Sequence, residues 1–161
     1  MGYYDIAQIC LNGHVATAAS KRLPSSRQKH CKKCGEPTIT ACEHCSVEIE
    51  GTFFTVSNSL PRRRPYTVPR FCHNCGKPYP WTRRGLDAVK SLADELDELE
   101  LADREKLKRS FDELVADTPA TGLAVMRVKK VLTKLKSHTA SVIRDVLVQI
   151  ATEAAKRSLF G

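Results

Sequence analysis

The chain has 161 residues, seven cysteines and a formal net charge of +8, and this length suits one domain or two small ones. No apolar run approaches the roughly 18 residues that a membrane span needs, and the first residues lack the basic start and apolar stretch of a signal peptide. These features argue against a transmembrane or secreted protein. They predict a cytoplasmic protein whose cysteine thiols stay reduced.

The positive charge is concentrated in the N-terminal half. Residues 1–85 contain 13 Lys/Arg and 5 Asp/Glu, whereas residues 86–161 contain 13 of each. If the seven cysteines bind two Zn²⁺ ions as thiolates, the metal-loaded N-terminal half carries a net charge of about +5, since the two ions offset four of the seven thiolate charges. We therefore expect this half to be basic with or without metal.

Metal-type ligands occur in four pairs along the first 75 residues. Three pairs are C-x-x-C and the first is C-L-N-G-H; the candidate ligands are Cys10, His14, Cys31, Cys34, Cys42, Cys45, Cys72 and Cys75. Eight ligands fill two tetrahedral sites, one with three thiolates and an imidazole and one with four thiolates, and leave no open position. The sequence therefore predicts two structural Zn²⁺ ions. Zinc is favoured over iron because it suits thiolate and imidazole ligands, and metal is favoured over disulfides in a cytosolic chain.

Tight turns are predicted within these pairs. Gly35 and Gly76 directly follow the second cysteine of a C-x-x-C pair, where glycine suits a backbone with positive φ. Asn12 and Gly13 provide a comparable turn before His14, because both residue types tolerate left-handed geometry.

The four pairs can share two metal ions in three ways. Sequential pairing joins the first pair with the second and the third with the fourth, which gives two zinc ribbons in tandem. Cross-brace pairing joins the first with the third and the second with the fourth, and nested pairing joins the middle two. We favour sequential pairing, because the spacer between Cys34 and Cys42 is longer than a cross-brace arrangement normally has.

Short strands are predicted before and between the pairs. The residue pattern favours strands over 3–9 and 38–40, since β-branched and aromatic residues prefer strands. Residues 47–56 are predicted either as two strands broken at Gly51 or as one strand with a bulge there.

A proline-bracketed basic segment follows over residues 59–70. Its three prolines predict an extended loop, because proline fixes φ and removes a backbone donor. Arginines on such a loop suit phosphate contact, and an adjacent tyrosine suits base stacking. The candidate nucleic-acid or partner contacts are Arg62, Arg63, Arg64, Tyr66 and Arg70. The alternative is a solvated loop that only aids solubility.

Helical periodicity begins at Leu86, from which apolar residues recur at intervals of three and four. We predict two helices separated near residues 101–103, a third that starts with Thr118 as N-cap, and a fourth from Ser137 to near the end. The predicted fold is thus small α+β. A double zinc ribbon over residues 1–82 precedes an all-α domain of three to four helices over residues 83–161.

Several sequence strings resemble an uncharacterised bacterial double-zinc-ribbon family. They are G-Y-Y-D-I-A-Q-I-C-L-N-G-H, C-K-K-C-G, C-E-H-C and F-C-H-N-C-G-K-P-Y-P-W-T, followed in the tail by D-E-L, D-T-P and A-K-R-S-L-F-G. The resemblance implies a bacterial source and zinc at the eight ligands named above. It implies no particular activity.

The sequence contains no recognisable nucleophile–base–acid set and no phosphate-binding loop, so we predict a non-catalytic adaptor without a small-molecule substrate. Its basic ribbons bind a macromolecule, nucleic acid being the first candidate. Its helical tail oligomerises or docks a protein partner through residues 119–160. The alternative is a protein–protein assembly component of a bacterial multi-protein system, for example in phage defence. Membrane-surface association through the apolar face of the last helix is a less favoured reading.

Overall fold

The computed structural model describes residues 2–55, 66–97 and 99–161, apart from the side chain of Ser137. Two compact units divide the chain, Met1–Trp81 and Thr82–Gly161. The described part of the first unit is built from strands and turns, and the second from helices. The predicted small α+β fold is confirmed.

Within its described residues, the first unit contains five short strands. They are β1 (Gly2–Ile6), β2 (Gln8–Cys10), β3 (Val15–Thr17), β4 (Thr38–Ile39) and β5 (Glu50–Thr55), with a 3₁₀ helix over Pro24–Ser26. β1 and β5 form a two-stranded sheet, and β3, β2 and β4 form a three-stranded sheet in that order. Every pairing among these strands is antiparallel.

The strand predicted over residues 3–9 divides at Ala7, because its two halves pair with different sheets. Ala7 is fully buried, and its backbone N–H donates to the carbonyl oxygen of Ile49 at 2.8 Å. This crossing residue connects the β1–β5 sheet to the β2 sheet. The two sheets are therefore parts of one unit.

Gly51 lies in a bulge of β5, which is the second of the two predicted alternatives. Tyr4 lies opposite Phe53 and Ile6 lies opposite Glu50, so β5 has one more residue than β1 across this interval. A Cβ at Gly51 would overlap the carbonyl oxygen of Ala18 and come within 2.9 Å of the Ala7 nitrogen. Close backbone approach therefore requires glycine here.

The loop after β3 is fixed by two buried side chains. The Asp5 carboxylate, 2% exposed, accepts the backbone N–H groups of Lys21 at 2.9 Å and Arg22 at 3.1 Å. The Gln8 side chain exchanges hydrogen bonds with the backbone of Gln28, at 2.8 and 3.0 Å. Buried polar groups are costly unless bonded, so these contacts specify the path of the loop.

Five helices follow among the described residues, and nearly all of their residues belong to the second unit. They are α1 (Pro80–Asp94, whose first two residues belong to the first unit), α2 (Leu101–Val115), α3 (Thr121–Leu132), α4 (Ser137–Ile150) and α5 (Glu153–Phe160). Their apolar faces bury a common core that includes Val89, Phe111, Val128 and Ile143. The predicted helical periodicity is confirmed, because these residues occupy its apolar positions.

Several helix boundaries differ from the prediction. α1 begins at Pro80, ahead of the periodicity predicted from Leu86, and α2 begins at Leu101, so the predicted separation near residues 101–103 lies in the first turn of α2. The Arg104 side chain donates to the carbonyl oxygens of Leu99 and Asp94, which fixes the connection ahead of α2.

The third helix begins at Thr121 and not directly after Thr118, because the Thr121 hydroxyl donates to the carbonyl oxygen of Ala116 at 2.9 Å and accepts the Thr118 N–H at 3.0 Å. The predicted fourth helix is divided at Thr152. This residue donates its backbone N–H to Leu114 at 3.0 Å, and its hydroxyl accepts the N–H of Ala155 at 3.2 Å as the N-cap of α5.

In the part of the chain that the structure describes, no helix combines the length and the apolar character that crossing a membrane would require.

The cap at Thr152 yields a stability prediction. We expect Thr152→Ala to lower the free energy of unfolding of the helical unit by about 1 kcal/mol, since an N-cap hydroxyl satisfies an otherwise free helix donor. Thr152→Ser keeps the hydroxyl and should lose much less. Denaturant unfolding followed by circular dichroism at the helical band measures both. Equal losses in the two variants would show that the hydroxyl bond does not stabilise α5.

Candidate metal centres

The three C-x-x-C pairs share one backbone geometry. In each, the N–H of the first cysteine donates to the carbonyl five residues later, and the N–H four residues later donates back to the cysteine carbonyl. The six distances lie between 2.7 and 2.9 Å, for Cys31 with Glu36 and Gly35, Cys42 with Val47 and Ser46, and Cys72 with Lys77 and Gly76. This repeated turn brings the second cysteine close to the first.

The first pair uses a shorter turn, which forms the connection between β2 and β3. The Cys10 N–H donates to the carbonyl of His14 at 3.0 Å, and the Gly13 N–H donates to the carbonyl of Cys10 at 2.8 Å. The His14 N–H also donates to the Cys10 sulfur at 3.3 Å. These bonds bring the imidazole Nδ1 within 3.5 Å of that sulfur.

Among the residues that the structure describes, positive φ angles occur where the sequence predicts them and at one further residue. Gly13, Gly35 and Gly76 have φ values of 86°, 75° and 68°. Ser46 follows the third pair and has φ 60°, although a side chain disfavours this conformation by roughly 1–2 kcal/mol. Serine does not by its residue type predict a positive φ. The position of Ser46 directly after a C-x-x-C pair does predict it, because Gly35 and Gly76 occupy the same position after the other two pairs.

The eight predicted ligands form two clusters. Cys10, His14, Cys31 and Cys34 form the first cluster, Cys42, Cys45, Cys72 and Cys75 form the second, and within each cluster the ligand atoms all lie within 4.8 Å of one another. The pairs therefore associate sequentially, as favoured from the sequence. The cross-brace and nested alternatives are not what the structure shows.

The distances within both clusters suit a tetrahedral ion. Sulfur–sulfur separations are 3.7 Å for Cys10–Cys34, 3.8 Å for Cys42–Cys75 and 3.6 Å for Cys45–Cys72. Four ligands at about 2.3 Å from a central ion would be separated by about 3.8 Å. A disulfide would need about 2.05 Å, and all seven cysteines are free. Each cluster could therefore hold a metal ion.

Hydrogen bonds make at least one thiol in each cluster unusually acidic. Burial raises the pKa of Cys31, but the backbone N–H groups of Lys33 and Cys34 and the neighbouring thiols of Cys34 and Cys10 together lower it to about 6. Cys72 behaves in the same way: burial raises its pKa, while the N–H groups of Cys75 and Asn74 contribute to lowering it to about 6. Each cluster thus offers a thiolate at neutral pH, the form that binds metal.

A hydrogen bond from the Asn74 side chain also lowers the pKa of Cys45 in the second cluster. One thiol in each cluster holds its proton more tightly. Burial raises the pKa of Cys10. The N–H of Lys77 lowers the pKa of Cys75, but burial and the neighbouring thiols raise it to about 11. Thiolates so close together repel, so a cation at the centre would favour ionisation of all of them.

A small core surrounds the second cluster. Cys42 and Cys72 pack with Ile9, Ile49 and several further buried residues. The Tyr79 and Trp81 rings stack with centroids 4.7 Å apart. The Trp81 indole N–H donates to the Pro69 carbonyl at 2.8 Å.

Trp81 also approaches the first cluster. A Cβ at Gly13 would lie 3.1 Å from the Trp81 Cβ. The turn between two ligands of the first cluster therefore lies against a side chain from the core of the second. Trp81 connects the two metal clusters within the first unit.

The clusters differ in their exposure. Cys34 of the first cluster is exposed and His14 is half-buried, whereas the second cluster has two buried and two half-buried cysteines. Water and chelators therefore reach the first cluster more directly.

The predicted contact residues fall into two groups. Arg62, Arg63 and Arg64 lie outside the described residues. Tyr66 donates its hydroxyl to the carbonyl of Glu50 on β5 at 2.6 Å, burial raises its pKa, and its ring packs against the core of the second cluster. Arg70 is half-buried and accepts the Tyr79 N–H at its carbonyl, at 3.0 Å.

The fold and its two clusters define a class of protein in which a strand-and-turn unit with two possible metal sites precedes a helical unit. Residues 3–159 match the family described as "Uncharacterized protein conserved in bacteria (DUF2321)". The chain belongs to this family. No curated protein and no solved structure matches it.

The strained turn at Ser46 yields a second prediction. Ser46→Gly should stabilise the zinc-loaded first unit by roughly 0.5–1 kcal/mol, because glycine adopts positive φ without a Cβ penalty. Ser46→Ala keeps the Cβ and should give no gain. Thermal unfolding at a fixed concentration of free zinc compares the two variants. A gain with alanine as large as with glycine would contradict the conformational explanation.

The exposure difference yields a third prediction. If each cluster binds one Zn²⁺ ion, a chelator should remove one equivalent of zinc clearly faster than the other, with the first cluster emptied first. In Cys34→Ser the fast phase should accelerate further or disappear through loss of that ion, while Cys45→Ser should alter the slow phase. Zinc release monitored with a colorimetric indicator gives both rates. A fast phase that responds only to Cys45→Ser would reverse the assignment.

Proposed function

We propose that this protein is a non-catalytic adaptor in which two structural Zn²⁺ ions hold a basic unit that binds nucleic acid. The donor chemistry supports zinc, since three thiolates with one imidazole and four thiolates are the usual structural zinc sets. All four donors in each cluster are protein atoms. A tetrahedral ion there would have no position for water or substrate, which supports a structural and not a catalytic role.

The excess of exposed cations in the first unit is the observation that carries the nucleic-acid proposal. Over the described residues 2–55 and 66–81, the exposed basic residues are Lys21, Arg22, Arg27, Lys29, Lys32, Lys33 and Lys77, and the exposed acidic residues are Glu43, Glu48 and Glu50. Phosphate backbones bind such surfaces through release of counterions. The excess favours a polyanionic partner.

Two of these cations lie on a turn of the first cluster. Lys32 and Lys33 are the two residues between Cys31 and Cys34, and both are exposed. The backbone bonds of that turn fix where the two lysines emerge. A metal ion in the cluster would thus order a cationic surface as well as the fold.

The arginine triplet adds charge at a segment whose ends are anchored. Residues 56–65 lie outside the described residues, but the flanking Thr55 pairs with Gly2 in the β1–β5 sheet. On the other side, Tyr66 bonds to the carbonyl of Glu50. Both ends of the segment that contains the triplet are therefore attached to β5, in the same basic unit.

A matched pair of triple variants tests the proposal. We expect the zinc-loaded protein to bind a mixture of DNA and RNA at low salt, with affinity that falls steeply as salt rises. Replacing Arg62, Arg63 and Arg64 by alanine should weaken binding by about tenfold or more and flatten the salt dependence, because each lost phosphate contact removes its counterion release. Fluorescence anisotropy across a salt series measures both quantities.

The control removes an equal charge from the helical unit. Lys129, Lys130 and Lys134 are exposed, and their triple alanine variant should retain most of the affinity. No binding by the unaltered protein at low salt would refute the nucleic-acid function. Equal losses in the two triple variants would refute its assignment to the first unit.

A second candidate function, protein–protein association, has its own observation. Leu123 and Met126 on α3 are 50% and 69% exposed, and their three-residue spacing places them on one face of the helix. Association through this face would tolerate salt. Sedimentation velocity with Leu123→Glu and Met126→Glu tests it, since loss of an oligomer in both variants would identify the interface.

A further inference from the structure

The sheet formed by β1 and β5 concentrates aromatic side chains at the protein surface. Of the ten aromatic residues in the chain, namely one Trp, four Tyr and five Phe, four lie on these two strands: Tyr3, Tyr4, Phe53 and Phe54. Single exposed aromatic residues are common on protein surfaces, but clusters of them are not. We call these two strands the aromatic sheet.

One face of the aromatic sheet carries a solvent-exposed cross-strand pair. Tyr4 lies opposite Phe53, with ring centroids 4.9 Å apart and ring planes tilted by 57°. The two residues are 54% and 49% exposed. Such a pair contributes only modestly to the sheet, and about half of each residue stays in contact with water.

The opposite face combines an aromatic pair with a cation. Tyr3 lies opposite Phe54 with centroids 6.0 Å apart, and the Arg22 guanidinium lies 4.6 Å from the Phe54 ring centroid. Phe54 is buried, while Tyr3 is 52% exposed and Arg22 is exposed. The exposed guanidinium of Arg22 and the exposed ring of Tyr3 therefore lie beside the buried ring of Phe54.

Asp5 positions this cation. Its buried carboxylate on β1 accepts the backbone N–H groups of Lys21 and Arg22, so the Lys21–Arg22 segment is attached to the strand that carries Tyr3 and Tyr4. The Lys21 ammonium forms an exposed ion pair with Glu48 at 3.1 Å. Arg22 is thus the cation that this arrangement presents beside the aromatic rings.

We propose that the aromatic sheet binds single-stranded nucleic acid that passes over the edge formed by β1, with bases stacked on the Tyr4–Phe53 pair of one face, and with a base on Tyr3 and a phosphate on Arg22 at the other face. This inference rests on the proposed nucleic-acid function and assigns to it a site and a strand type. Unpaired bases expose the π faces that aromatic rings recognise, whereas a duplex keeps its bases stacked internally. Rings beside a fixed cation match the alternation of base and phosphate along a single strand.

Leucine substitutions separate stacking from folding. In Tyr4→Leu/Phe53→Leu the apolar bulk of the sheet is retained and the π faces are lost, so we expect single-strand affinity to fall by about tenfold or more while zinc content stays unchanged. Phe71 is an exposed aromatic outside the aromatic sheet, 37% exposed, and Phe71→Leu should leave binding unchanged.

The charge contribution has a different signature. Arg22→Ala should lower the salt dependence of binding, by about 0.7 in the slope of log affinity against log salt for one phosphate on a single strand. The leucine double variant should lower the affinity with little change in this slope. The two variants therefore test the two halves of the proposed contact independently.

The probes are fluorescein-labelled oligo(dT) and oligo(U) of roughly 12 nucleotides and a DNA duplex of the same length, with the full zinc-loaded chain. The expected result is a loss confined to the single strands, and comparison of the two oligomers shows whether DNA or RNA is preferred. If the unaltered protein binds none of the probes, the proposed function and this inference both fail. If it binds and the leucine variant binds equally well, only this inference fails. A change of oligomeric state in that variant with unchanged binding would instead identify the sheet as a protein interface and overturn the inference.

Discussion

The N-terminal unit depends on bringing ligand pairs that are distant in sequence within coordinating distance of one another. Its strands are two to six residues long, too short to bury a substantial core, and small units with such cores usually need a metal or disulfides. Its seven cysteines are free and lie in two clusters of tetrahedral spacing. Under the proposed zinc binding, each ion would replace repulsion between thiolates by attraction and couple metal binding to folding.

Longer-range contacts make the two ribbons one unit. The bond from Ala7 to Ile49 and the bulge at Gly51 connect strands that belong to different sheets. Trp81 packs on Tyr79 and lies close to Gly13, so the core around the second cluster reaches the turn of the first. Under the proposed zinc binding, loss of one ion should therefore disturb the other site, as it would not in two independent zinc ribbons.

The proposed function depends on the side chains that the first unit exposes at its surface. The backbone turns that position the ligands also position the lysines between them, and the carboxylate of Asp5 attaches Lys21 and Arg22 to the aromatic sheet. Preorganised side chains lose less entropy on binding than flexible ones. The helical unit has a well-packed core of its own and, with Leu123 and Met126 exposed on α3, offers a second type of surface. An adaptor that joins nucleic acid to a protein partner would use both.

The local features of this structure could be predicted from the sequence. The eight ligands follow from pair spacing, the turns at Gly13, Gly35 and Gly76 from glycine chemistry, and the helices from apolar periodicity, because each signal is confined to a few neighbouring residues. Even the sequential association of the pairs was the favoured alternative. The Arg62–Arg64 prediction stays a prediction, because those residues lie outside the described ones.

What only the tertiary structure decided depends on residues far apart in the chain. The division of the first strand at Ala7, the bulge at Gly51, the anchoring of a polar loop by Asp5, the position of Trp81 and the break before α5 at Thr152 all arise from contacts with distant backbone. The backbone of Ser46 could not be predicted from its residue type either, because the C-x-x-C geometry imposes a positive φ that serine does not favour. The sequence by itself determined which side chains could hold metal and where helices form, since these are properties of local spacing. The tertiary structure determined how strands exchange partners and which aromatic and charged groups meet at the surface, since no local pattern encodes which distant backbone group will approach.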